Sequence, residues 1–347
     1  MQITLERQLE KVKIVDENKR YWFIRTFAGE AFNFYLDEEY VGLGLNNVPL
    51  KYIREAKIDD DPTFNILYNF INKNTDYQKG EATKWAKQLI DFTNNVRIGD
   101  TVIMPSKSSD MLAFGIVTSE IYIKENPGKI THNGELLILP EKRRSVKWNK
   151  VIRREDLKGE LRSLLSSHQG ITNADDYAYI IEGAQESIFI NKEHIYLVLN
   201  VGTNEEINAF ELQRFLSGLT YFYKEFCIDN GLGDNEELSI KIKLQSEGKA
   251  YLKAAKYAGV LGLALVIMLC NNPHVEFEMD NIKFKAGSDG GLKSVTEFLD
   301  KKQERELKLI KFKDSIDKLK AKESVNEDIL IKESANKPQT KGKKKNR

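Results

Sequence analysis

Two glycines set inside an apolar run, Tyr40-Val41-Gly42-Leu43-Gly44-Leu45, place the tightest limit on how this chain folds. The run reads as a β-strand. Glycine within a strand marks a place where another backbone, or a ligand, comes unusually close. A second strand-like run, Tyr21-Trp22-Phe23-Ile24-Arg25, lies upstream, with a small turn at Ala28-Gly29-Glu30 between them. Residues 1–200 read as one domain built on these two strands, residues 203–300 as a second, small α+β domain, and residues 301–347 as a charged helix with a basic tail.

Around that pair the pattern alternates short strands with helices. Asp61-Pro62 is a helix start, because Asp caps free N–H groups and Pro is tolerated in a first turn. After Gly80, the residues Ala82, Trp85, Ala86 and Leu89 share one helical face. Gly99-Asp100 makes a turn into the buried run Thr101–Met104, and Met111–Thr118 is a further strand with Gly115 inside it. Leu157–Ser166 reads as a helix and Ile188–Ile190 as the last strand of the domain. The expectation is an α+β fold with a small, curved sheet or partial barrel.

One stretch carries a strong local charge. Lys142, Arg143, Arg144, Lys147, Lys150, Arg153 and Arg154 are seven cations with no acid among them, and Trp148 is interleaved. Such a run can contact nucleic-acid phosphates, giving salt-dependent and sequence-independent affinity. It can equally be an edge strand that charge protects from aggregation. The formal net charge of the whole chain is +1, so a nucleic-acid partner would be met by a local patch and not by a global field.

The series Trp22-x-Ile24-Arg25, Ala28-Gly29, Tyr40-Val41-Gly42-Leu43-Gly44, Gly99-Asp100-Thr101-Val102, Phe114-Gly115-Ile116-Val117 and Arg144-x-Val146-Lys147-Trp148 resembles the N-terminal domain of some Mrr-type restriction proteins. That domain is similar to the EVE and YTH domains of the PUA-like superfamily. The resemblance covers about residues 20–190. It implies a small β-barrel with an aromatic-walled pocket that takes a modified base, often flipped out of its stack, and it implies a role in prokaryotic defence. The partner would be nucleic acid, modified DNA foremost, or a free nucleotide.

The family pattern carries Trp where this chain has Leu45. The resemblance places pocket residues at Arg25, Thr26 and Phe27. Trp22, Leu45, Asn46 and Trp148 complete the candidate set. Each has a plainer reading: Trp22 and Trp148 as core, Arg25 as an ion-pair partner, Asn46 with Asn47 as turn chemistry. Trp85, on its apolar helix face, reads as core.

The second half is less legible. Phe215, Leu219, Phe222 and Phe226 form a helical stripe that suits a core or a partner surface. Ser239–Leu244 alternates strictly, as a half-buried strand does. Glu247-Gly248-Lys249 has the E-x-K form of Mg²⁺-dependent nucleases, with Asp234 as a second carboxylate, but it also reads as a hairpin tip. Tyr257–Cys270 is fourteen residues without a charge, whereas a spanning helix needs about 20. It reads as a buried helix suited to self-association, with a membrane effector built on 254–270 as the competing reading. Leu309, Phe312, Ile316 and Leu319 are a/d-like over two heptads.

Two cysteines, Cys227 and Cys270, make neither a disulfide framework nor a zinc site. The charged start lacks the apolar core of a signal peptide. The expectation is a cytoplasmic protein that uses no cofactor or metal, and no hydrolytic constellation is visible around His132, His168, His194 or His274.

Overall fold

The computed structural model describes residues 12–58, 62–132, 134–154, 161–192, 194–202, 208–229, 238–242, 247–255 and 303–323. The described residues divide into two compact units. One lies within Asn18–Ile180; the other joins residues up to Glu17 with those from Ile181 onward.

The first unit is α+β, as its pattern requires. Its sheet has the order β10-β2-β4-β5-β9-β3. The strands are β2 (Tyr21–Ile24), β3 (Tyr40–Leu43), β4 (Thr101–Pro105), β5 (Met111–Val117), β9 (Lys142–Arg153) and β10 (Ile171–Asn173). The pairings are antiparallel except β2 with β4. Short β6 (Tyr122–Ile123) joins the first residues of β9, while β7 (Lys129–His132) and β8 (Glu135–Ile138) form a separate hairpin.

The sheet curls into a half-barrel that brings its two edges near each other. A Cβ built on Gly170, just before β10, would lie 2.8 Å from Leu43 Cδ1 on β3. Curling is helped by a register shift between Phe114 and Gly115, where β9 bulges. Gly115 is required there: a Cβ would sit 2.4 Å from Val146 Cγ1.

Helices cover the sheet. The helix α3 starts at Pro62, as the sequence predicts, and runs to Asn74; Asp61, its expected cap, lies outside the described residues. Helix α4 (Lys79–Ile90) ends in a π turn, Asp91–Asn95. Ala82, Ala86 and Leu89 of α4 are buried in one core with Trp22, Ile24, Val41, Val102 and Trp148.

The second unit corrects the expected domain limits. Strand β1 (Lys13–Val15) pairs in parallel with β11 (Ile188–Asn191), and β11 with β12 (His194–Gly202). The run read as the last strand of the first domain therefore belongs to the second unit. So does the lead-in, because the strand pairing is long-range and carries no local signal. Strand β12 also pairs with β14 (Glu247–Ala255), which pairs with β13 (Ser239–Ile242).

Helix α7 (Ala209–Asp229) buries the stripe Phe215, Leu219 and Phe222 against Phe312, Ile316 and Leu319 of α8 (Gln303–Leu319). The Phe215 and Phe312 rings lie 5.7 Å apart, and those of Phe222 and Phe312 5.5 Å. The two stripes noted in the sequence complete each other, so α8 is part of this unit's core. No helix among the described residues is long and apolar enough to cross a membrane. The run 257–270 lies outside the described residues.

Candidate functional site

Where the two sheet edges approach, they leave a cavity of about 350 Å³. It is lined by Arg25 and Phe27 after β2, Gly42–Gly44 at the end of β3, Trp85 from α4, and His168 and Gly170 before β10. That volume lies at the small end of ligand pockets, which run from about 300 Å³ upward, so it suits a single ring system.

Glycine makes the space. A Cβ on Gly44 would lie 3.9 Å from Trp85 Cη2, so the indole faces the bare backbone of β3. A Cβ on Gly42 would press within 2.8 Å of Pro140 Cβ. The close approach predicted from these glycines is therefore met by a chain segment at Gly42 and by the cavity at Gly44.

Trp85 is partly buried, and its ring is stacked on Tyr77 at 6.2 Å with 7° between planes. Burial raises the pKa of the Tyr77 phenol, so the ring behind the wall is neutral. The opposite shoulder is fixed by Gln88 of the same helix. Its Oε1 accepts the N–H groups of Gly170 (2.5 Å) and Ile171 (3.3 Å).

The Arg25 guanidinium holds the 165–167 turn. Nε donates to Ser167 O at 2.9 Å, and Nη2 donates to Ser167 O and Leu165 O at 2.6 and 2.5 Å. Its Nη1 has no hydrogen-bond partner among the described residues. Burial lowers the guanidinium pKa, yet an arginine starts so high that the charge persists. Backbone strain gathers at this rim. Phe27 (φ 50°), Ala28 (φ 53°) and Leu45 (φ 58°) occupy left-handed conformations. For residues of this kind the cost is about 1–3 kcal/mol each, held in place by the surrounding packing.

Of the seven pocket candidates, the structure brings Arg25 and Phe27 to the cavity. Trp22 is buried, and its Nε1 donates to Asp100 Oδ2 at 2.9 Å, which gives the Gly99-Asp100 turn a second job. Thr26 is buried and donates to Pro105 O at 2.9 Å. Trp148 is buried, with Nε1 on Tyr35 O at 3.0 Å. These three are structural. Leu45 flanks the cavity and packs on the core. Asn46 is a brace: Nδ2 donates to Leu139 O and Oδ1 accepts from Glu141 N, both at 3.0 Å.

Trp85, His168 and Gly170 were not among the candidates. The signal that points to Trp85 is its place beside Ala82, Ala86 and Leu89: three small or aliphatic neighbours fill the core and leave a large ring at the margin.

The basic run divides in two. Lys142, Arg143 and Arg144 are 1%, 3% and 1% exposed, which removes them as phosphate contacts. Their hydrogen bonds go to backbone carbonyls, and Arg144 Nη1 also pairs with the exposed Glu120 carboxylate at 3.6 Å. Lys142 Nζ donates to Leu45 O at 2.6 Å. Arg143 donates to Pro140 O and Pro127 O at 2.8 and 2.5 Å and stacks 3.8 Å from the Tyr40 ring. Arg144 donates to Phe92 O, Thr93 O and Ser119 O at 2.9, 2.8 and 3.2 Å. Phe92 and Thr93 sit in the π turn, whose carbonyls have no helical partner ahead of them, so Arg144 acts as a helix cap. Lys147, Arg153 and Arg154 are exposed and Lys150 is partly so.

The nuclease candidates are only partly placed. Glu247 and Lys249 stand two residues apart on β14, opposite Gly202 and Asn200; Asp234 lies outside the described residues.

A scan against protein-family models and a search of curated proteins found no match to this chain.

Proposed function

We propose that the unit within Asn18–Ile180 is a PUA-like, EVE-like reader that captures one planar base in the cavity between β3 and β10. The base would be a modified or flipped base of DNA or RNA, or that of a free nucleotide. The observation that carries this reading is the cavity itself: about 350 Å³, lined by Trp85 and Phe27, with a charged guanidinium beside them. Taking a base out of its stack costs about a few kcal/mol. Stacking on an aromatic side chain returns roughly 1–3 kcal/mol per base.

The resemblance expects an aromatic residue where the chain has Leu45, and Trp85 supplies a ring from α4 against the neighbouring Gly44. Lys147, Lys150, Arg153 and Arg154 remain as phosphate contacts. A part in prokaryotic defence against foreign nucleic acid follows the same resemblance.

The test is binding to oligonucleotides that carry methylated, hydroxymethylated or plain bases, measured by fluorescence anisotropy with the wild type and Trp85→Ala. Preference for one base, lost in Trp85→Ala, supports a reader. Equal, salt-sensitive binding to all of them, unchanged in Trp85→Ala, leaves only a charge-driven clamp.

A further inference from the structure

The register of β3 decides which backbone groups face the cavity. Val146 N donates to Glu39 O at 2.8 Å, which makes Glu39 and Val146 a hydrogen-bonded pair. In an antiparallel ladder such pairs recur at every second residue. Val41 with Arg144 and Leu43 with Lys142 therefore bond to β9, while the peptide groups of Tyr40 and Gly42 point to the open edge of β3. The Gly42 carbonyl confirms this phase, because it accepts the Tyr35 hydroxyl at 3.1 Å from that side. Gly44 follows directly after β3, and its N–H shares a peptide plane with the Leu43 carbonyl, which bonds to β9, so this N–H points to the open edge. Neither its N–H nor its C=O has a hydrogen-bond partner among the described residues, and it lines the cavity.

We propose that the cavity reads its ligand by a donor–acceptor edge, through the Gly44 N–H and C=O together with Arg25 Nη1. This rests on the base-reader function above and narrows it. The N–H and C=O of one residue sit close enough to address two neighbouring atoms of a ring edge. The matching ligand offers an acceptor beside a donor, with a further acceptor for the guanidinium. Amino-imine and cyclic-amide edges have this form: adenine and cytosine with the amino group, guanine and uracil with the ring N–H. A ring without its amino group leaves the Gly44 carbonyl desolvated and unpaired, the situation in which a lost hydrogen bond counts most.

The experiment uses the full chain and one single-stranded oligonucleotide with a single variable position. That position carries adenine, guanine, unsubstituted purine, cytosine, pyrimidin-2-one or an abasic site. Affinities are read by anisotropy. The expected result is that purine binds on the order of ten- to a hundredfold more weakly than adenine or guanine, or pyrimidin-2-one than cytosine, according to the ring size preferred. Gly44→Val should bring every oligonucleotide down to the abasic level while thermal unfolding stays close to wild type, since only the tip of Trp85 lies near that Cβ position.

Equal binding of the amino and des-amino rings, both above the abasic control, overturns the edge-reading proposal and leaves the reader standing. Equal binding of all six, abasic included, overturns both.

Discussion

The two ends of β9 carry the same kind of residue and do opposite things. From Lys142 to Arg144 the strand runs between β3 and β6, its cations are buried, and each charged head is spent on backbone carbonyls. From Lys147 to Arg153 it pairs with β5, and its cations, with Arg154 just beyond the strand, stand at or near the surface. Both stretches are basic and neither holds an acid, so the sign of the charge cannot separate them. Neighbours can: a cation beside unpaired helix-end and turn carbonyls is worth more as a hydrogen-bond donor than as a surface charge. A basic run is thus two features when one half of it lies inside the sheet.

The sharpest way to break this division is Arg144→Ala. Removing the guanidinium leaves the carbonyls of Phe92, Thr93 and Ser119 without it. The expected loss is on the order of 3 kcal/mol in chemical denaturation, with the salt dependence of nucleic-acid binding unchanged for the protein that remains folded. A stable Arg144→Ala that loses salt-dependent affinity would assign Arg144 to the surface half after all.

Next in size is Trp85→Ala, with a loss of roughly 1–3 kcal/mol in base-dependent binding, read by anisotropy against an abasic control. Charge reversal at Lys147, Arg153 and Arg154 should leave thermal unfolding nearly untouched. It should flatten the log–log salt slope by about 2 for single strands, three contacts at about 0.7 each.

A separate check is a pH dependence. Burial lowers the Lys142 ammonium from its usual value to about 8. An unfolded chain then binds more protons than the folded one between that value and the ordinary lysine range, so stability rises with pH there. Below about 8 the buried charge is a full penalty, and it is relieved as the group deprotonates. Lys142→Met should abolish this rise in urea midpoints taken from pH 7.5 to 10.5. A slope that persists in the variant would show that other groups carry it.

Much of the first unit is written in short-range pattern. Tyr21–Ile24, Thr101–Met104 and Met111–Val117 are apolar runs bounded by turn residues, and each is a strand. Gly42 and Gly44 announced a close approach, and Gly99-Asp100 announced a turn. The burial of Lys142, Arg143 and Arg144 was not legible, because the carbonyls that attract them lie in segments far away in sequence. Trp85 was read as core because periodicity tells which face a residue is on and not how far toward the margin of that face it sits.

The second unit was misdivided for a related reason. Parallel pairing of Lys13–Val15 with Phe189–Asn191 leaves no mark in either segment. The stripes Phe215-Leu219-Phe222 and Phe312-Ile316-Leu319 were each visible, but nothing local says that they meet.

Gln88 joins the two walls of the cavity through one oxygen atom. Because its amide grips Gly170 and Ile171 while its helix carries Trp85, the indole and the strand end keep a fixed gauge. The aperture is set at a position absent from the cavity lining. Shortening that side chain by one methylene, as in Gln88→Asn, would change the spacing between Trp85 and Gly170 without replacing any residue that lines the cavity.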